Sequence, residues 1–155
     1  GATMDLMSSA FDHNGIIPAR YTCDGQNISP PLRWVGVPPE AESLVLICDD
    51  PDAPSGTWSH WVLYNMTPQM EGLEEDVPEG ERLSPTGMHG RNDFGDTGYG
   101  GPCPPQGSEH RYYFRLYALD TTLDLLPGAT RKQVLEQVQD HILAQTEFVG
   151  LYSRS

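Results

Sequence analysis

The stretch SLVLICDDPDAPSGTWSHWVLYNM, residues 43–66, decides the fold. Its first part, Ser43 to Asp49, is a short apolar run of the kind that forms a strand buried on both faces. A second apolar run follows from Trp61 to Met66. Pro51 and Pro54 stiffen the connection and remove backbone donors from it. If the two strands pair as a hairpin, the end of the first and the start of the second share one rim. Asp50, Asp52 and His60 then come together there. A rigid loop holding carboxylates beside an imidazole suits a binding site. Taken alone, the segment reads more simply as turn chemistry, with His60 a satisfied strand-end residue.

Working outward, residues 112–119 (YYFRLYAL) alternate as a strand. Tyr112, Phe114, Leu116 and Ala118 fall on one face, and Tyr113, Arg115 and Tyr117 on the other. The segment before it, residues 98–112 (GYGGPCPPQGSEHRY), is too rich in Gly and Pro for a helix or a central strand. Prolines fix much of it, and glycines allow close approach of a ligand or another backbone. Alternation points His110 and Tyr112 to one side and Arg111 to the other. Weaker strand signals lie at Thr3 to Ser9 and near Tyr21. The acidic residues 70–82 (MEGLEEDVPEGER) read as an exposed loop.

One helix is expected late in the chain. Pro127-Gly128 breaks the backbone, Thr130 is an N-cap and Gln133 stands at the capping-box position. Val134, Leu135, Val138 and Ile142 recur at helical spacing, and Gly150 follows the end. His141 is read as a residue of that helix. The fold class is therefore mostly β, with this helix packed on a sheet. Residues 4–155 are read as one domain, and Gly1 to Thr3, ahead of Met4, as an expression scar.

Composition narrows the function. The 155 residues include 16 Gly and 14 Pro, which favours short strands and ordered loops. With 22 acidic against 9 basic residues, the formal charge is −13. Such a surface repels nucleic acid and anionic lipid, and Lys132 is the sole lysine. No apolar stretch approaches the ~20 residues of a membrane span. No basic start and apolar run of a signal peptide is present, so a cytoplasmic location is expected. Three cysteines are too few for a disulfide framework. Cys48, in an apolar run, is expected to be a buried thiol. Cys23 and Cys103 both sit in loops, and a bridge between them is left open.

The two motifs together carry a resemblance. Residues 50–55 (DPDAPS) with His60, and GPCPPQGSEHRY at residues 101–112, resemble the signature regions of the phosphatidylethanolamine-binding (Raf-kinase-inhibitor-like) family. The cysteine-containing form resembles its bacterial branch. Residues 21–32 (YTCDGQNISPPL) and Asn92-Asp93-Phe94-Gly95 add to the match, which runs from about Phe11 to the C-terminus.

The resemblance implies a Greek-key antiparallel β-sandwich with a small anion pocket at one edge. It implies a lining of Asp50, Asp52, Pro54, His60, Gly101, Pro104, Pro105, His110 and Tyr112, and ligands that are phosphorylethanolamine-like headgroups or carboxylates. It also implies a homodimer, while Raf-kinase binding is not carried over. The expected function is non-catalytic binding, with no cofactor, no resident metal and no catalytic residues, and with a kinase or protease as a conceivable regulated partner. The two aspartates should raise the histidine pKa values. The alternative is a metal-dependent hydrolase using Asp50, Asp52, His60 and His110. A phosphatase with an aspartate nucleophile is rejected, because its supporting lysine and strand–helix alternation are missing.

Overall fold

The computed structural model describes residues 3–83 and 87–154; Gly1 and Ala2 of the expected scar lie outside them. Two β-sheets face each other. Among the described residues the larger has six strands, in the order β2 (Gly15–Ile16), β9 (Ile142–Ser153), β8 (Glu109–Leu119), β4 (Ser43–Asp50), β5 (Trp58–Met66) and β7 (Met88–His89), and the smaller has β1 (Asp5–Met7), β3 (Leu32–Val35) and β6 (Gly72–Leu73) in that order. The central hairpin is the one read from the sequence. Strand β4 (Ser43–Asp50) pairs antiparallel with β5 (Trp58–Met66). On its other side β4 pairs antiparallel with β8 (Glu109–Leu119). All eight residues of β4 are buried. Leu44, Leu46 and Cys48 enter the core between the sheets, where Leu6, Leu32 and Trp34 meet them from β1 (Asp5–Met7) and β3 (Leu32–Val35). Val45 and Ile47 face the opposite way and pack under Val134 and Val138 of the helix. A strand covered on both faces has no reason to alternate, which is why this one reads as a continuous apolar run.

Helix α1 spans Arg131–Val138 and carries the full capping box between Thr130 and Gln133. It is shorter than its apolar spacing suggests. Ile142, expected on the helix, opens β9 (Ile142–Ser153), and Gly150 lies inside that strand rather than past a helix end. His141 lies in the turn and hydrogen-bonds Asp120 through Nδ1. Val138 and Ile142 are four residues apart, so helical periodicity carries across the turn without a break. What overrides it is pairing: β9 hydrogen-bonds β8 along nearly its whole length.

Two other expectations change. The weak strand near Tyr21 is a single 3-10 turn, Ala19–Tyr21, entered through Pro18. The acidic segment is not simply an exposed loop. Its Gly72–Leu73, strand β6, adds a third strand to the small sheet. Met70, Leu73 and Val77 pack against the core, and Glu75 pairs with Arg20. The large sheet is mixed, since β2 (Gly15–Ile16) joins β9 in parallel. Strand β7 (Met88–His89) closes the other edge. Cys48 is a buried thiol, as expected. Cys23 and Cys103, left open by the sequence, form a disulfide.

Candidate functional site

At the rim where β4 ends and β5 begins, a cavity of about 280 Å³ opens beside the start of β8. Its wall includes Asp50, Pro54, His60, Pro104, Pro105, His110 and Tyr112 of the expected set. Two expected residues lie elsewhere. Gly101 packs behind the wall: a Cβ there would stand 2.3 Å from the Tyr21 carbonyl oxygen and from Asn27 Oδ1. Its amide donates to that same Asn27 oxygen. Only glycine permits this approach, so Gly101 shapes the cavity from outside. Asp52 is turned toward Arg111, whose backbone N, Nε and Nη2 all donate to its carboxylate at 2.7–2.9 Å. Those bonds hold the Asp52 carboxyl down at about 2. Asp52 thus clamps the loop to the first residues of β8, next to His110.

His60 arrives through an irregularity that alternation does not foresee. Cys48 faces Trp61 across the hairpin and Asp49 faces Ser59, so His60 is an extra residue in β5. This bulge lets His60 and Trp61, neighbours in sequence, both serve the inner side of the sheet. The His60 ring lies edge-on to Tyr112 and Phe94. Its Nδ1 stands 2.6 Å from the Gly100 carbonyl oxygen. A carbonyl only accepts, so Nδ1 carries the proton and Nε2 of the neutral ring is an acceptor. Burial pushes the His60 pKa below 6.5, against the pull of that carbonyl and of Asp50. The expectation that the aspartates raise it is therefore reversed: desolvation outweighs them.

His110 is arranged differently. Its Nδ1 donates to Asp50 Oδ2 at 2.7 Å, and both side chains are buried. Asp50 Oδ1 accepts from the Asp52 amide. The carboxylate thus fixes the imidazole tautomer and leaves Nε2, on a ring that lines the cavity, without a partner among the described residues. Tyr112 is fully buried, and its hydroxyl makes no well-directed hydrogen bond although Asp50 lies nearby. Burial first, then the Asp50 charge, holds that phenol well above its ordinary range. Among the described residues, no arginine or lysine lines the cavity.

The sequence reading missed five lining residues: Ala53, Ser55, Trp58, Phe94 and Cys103. Phe94 was visible within the Asn92–Gly95 motif but without a role. Asn92 Oδ1 accepts from the Phe94 and Asp96 amides, and this turn sets the Phe94 ring against Trp58 and His60. The ligand set of the hydrolase reading is not gathered. The Asp52 carboxylate is held by Arg111 and His60 Nδ1 by Gly100, and among the described residues no three His, Cys, Asp or Glu side chains could hold a metal ion together.

A second histidine is locked in its neutral form away from the cavity. Trp61 Nε1 donates to His89 Nε2 at 3.0 Å, so His89 Nδ1–H donates to the Gly80 carbonyl. Burial lowers the pKa of His89 below 6.5, as it does for His60. The unfolded chain therefore takes up these protons first as pH falls. Their contribution to stability is complete above 6.5 and is lost as pH drops below it toward the lowered folded values. Urea unfolding between about pH 7 and pH 5 should show stability falling by up to ~1.4 kcal/mol per pH unit for each group. His89→Gln should flatten the slope; an unchanged slope would mean that His89 does not contribute.

Fold and site together define a two-sheet β protein with a preformed cavity at a sheet rim. The family model for the phosphatidylethanolamine-binding protein matches residues 7–153. A UPF0098 protein of Methanothermobacter thermautotrophicus is 59% identical over 97% of this chain and 99% of its own. One from Pyrococcus abyssi is 50% identical over 99% and 88%. Among solved structures, a Chlamydia trachomatis protein titled a phosphatidylethanolamine-binding protein homolog superposes with a TM-score of 0.91 at 42% identity, over 100% of both chains. Escherichia coli YbcL, described as a member of the mammalian family, gives 0.91 at 29% identity, over 99% and 100%. The chain belongs to the phosphatidylethanolamine-binding protein family.

Proposed function

We propose that the cavity binds a small phosphoryl or carboxylate anion, with a phosphorylethanolamine-like headgroup as the fitting class, and that it does so without catalysing a reaction. The observation that carries this is His110 Nε2, unpartnered in the cavity and backed by a buried carboxylate on Nδ1. Protonated, the His110–Asp50 pair is neutral overall and presents an N–H to an anion. Neutral, it presents a lone pair and a net negative charge. The two aspartates that should repel an anion are both engaged, Asp50 by His110 and Asp52 by Arg111. His60 Nε2 adds an acceptor that suits a P–OH or an ammonium. Prolines and aromatic rings supply a rigid, largely apolar wall, as small-ligand sites require. The lining offers no hydroxyl hydrogen-bonded to an imidazole, which favours binding over nucleophilic chemistry.

Calorimetric titration separates the headgroup's parts. Phosphorylethanolamine and inorganic phosphate should bind, and ethanolamine alone should not. Binding of ethanolamine alone, with none of phosphate, would reverse the assignment and make Asp50 the recognising group.

A further inference from the structure

Cys103 is both a cavity-wall residue and one end of the disulfide to Cys23, 80 positions away in sequence. We propose that this bridge is a redox control on the cavity: oxidised, it holds the Cys103–Pro105 wall in place; reduced, it releases the wall and weakens ligand binding. The inference rests on the ligand reading given above.

The wall has few other ties. Pro104 and Pro105 have no N–H to donate. The backbone bonds that tie this loop to other segments lie at its two ends, Cys23 N to the Pro102 carbonyl and Gly101 N to Asn27 on one side, Gly107 N to the Arg154 carbonyl on the other; the Pro105 carbonyl accepts only locally, from Ser108 N. Between them, the three consecutive lining residues are joined to the body of the protein chiefly by the sulfur bridge. The bridge is also within reach of a reductant. Cys103 is exposed and Cys23 half-buried, unlike the third cysteine, Cys48, which is sealed in the core. Exposed disulfides are the labile and regulatory kind.

The chemistry needs a dithiol reductant. One of its thiolates attacks the exposed Cys103 sulfur and expels Cys23 as a thiolate. The second attacks the mixed disulfide, closes the reductant's own disulfide and releases Cys103 as a thiolate. Two electrons pass from the dithiol to the cystine, and both protein thiolates take protons as their pKa values dictate. The Arg154 guanidinium, 3.8 Å from Cys103 Sγ, stands where it stabilises the released thiolate.

Binding of phosphorylethanolamine is measured on oxidised protein, on dithiothreitol-reduced protein and on the Cys23→Ser/Cys103→Ser variant. A two-dimensional amide NMR spectrum and amide exchange are recorded on each. Reduction should weaken binding about tenfold, since a wall that was preorganised must now be ordered by the ligand. The double variant should match the reduced protein whether or not reductant is present, reoxidation should restore affinity, and faster exchange should be confined to residues 99–107. Equal affinity in oxidised and reduced protein would overturn the redox control and leave the ligand assignment standing. Collapse of the whole native spectrum on reduction would overturn it too, since the bridge would then serve global stability. Failure of the oxidised protein to bind would overturn both readings together.

Discussion

His110→Ala should weaken phosphorylethanolamine binding by about 100-fold or more. The substitution removes the one imidazole N–H that an anion can use, and a hydrogen bond to a charged group is worth ~1.5–3 kcal/mol. It also leaves Asp50, buried and deprived of its imidazole donor, facing the ligand. The same stranded charge should destabilise the fold, because breaking a buried pair costs ~3–5 kcal/mol. The two effects separate in Asp50→Asn/His110→Ala. Removing the charge should recover much of the stability but only the share of the affinity lost to its repulsion, since the imidazole donor is still missing. A single variant that binds within twofold of the parent would remove His110 from the site.

The second large effect lies on the opposite face of the same strand. Asp49 is buried and receives hydrogen bonds from Arg115 of β8, at 2.8 Å to both oxygens, and from Arg131 of α1, at 3.0 Å. This carboxylate joins strand, neighbouring strand and helix. Arg115→Ala/Arg131→Ala should cost ~3–5 kcal/mol by leaving an unpaired charge in the interior. In a domain of this size that is a fall in Tm of ~10 °C. Adding Asp49→Asn should recover most of it. Phosphorylethanolamine affinity should not move, because none of the three lines the cavity. A loss below ~1 kcal/mol, or a change in affinity, would show that the cluster is either solvated or coupled to the site.

Much of this was legible in the residues, and the reasons are specific. The hairpin shows because both of its strands are covered on two faces and so read as continuous apolar runs. Strand β8 shows because one face is core and the other is an Arg–Tyr ladder, Arg111, Tyr113 and Arg115, whose guanidiniums lie over the Tyr113 ring. The capping box is a local pattern and appears as read. The end of the helix was hidden, because no Gly or Pro marks the turn before Ile142 and only the pairing of β9 decides it.

At the cavity, seven of the nine expected lining residues do line it. Asp52 does not, since its choice of Arg111 over the cavity depends on a contact 59 residues away in sequence. The bulge at His60 and the Cys23–Cys103 pairing are also tertiary facts, invisible to periodicity. The reversed His60 shift follows from burial, whose depth a sequence does not display.

The central claim is that His110, held by Asp50, is the anion donor in the cavity. Imidazole 15N NMR, recorded while phosphorylethanolamine is titrated in at several pH values, tests it directly. The expected result is that the His110 Nε2 resonance moves to its protonated position as phosphorylethanolamine binds. A His110 signal that does not respond to saturating phosphorylethanolamine would contradict it.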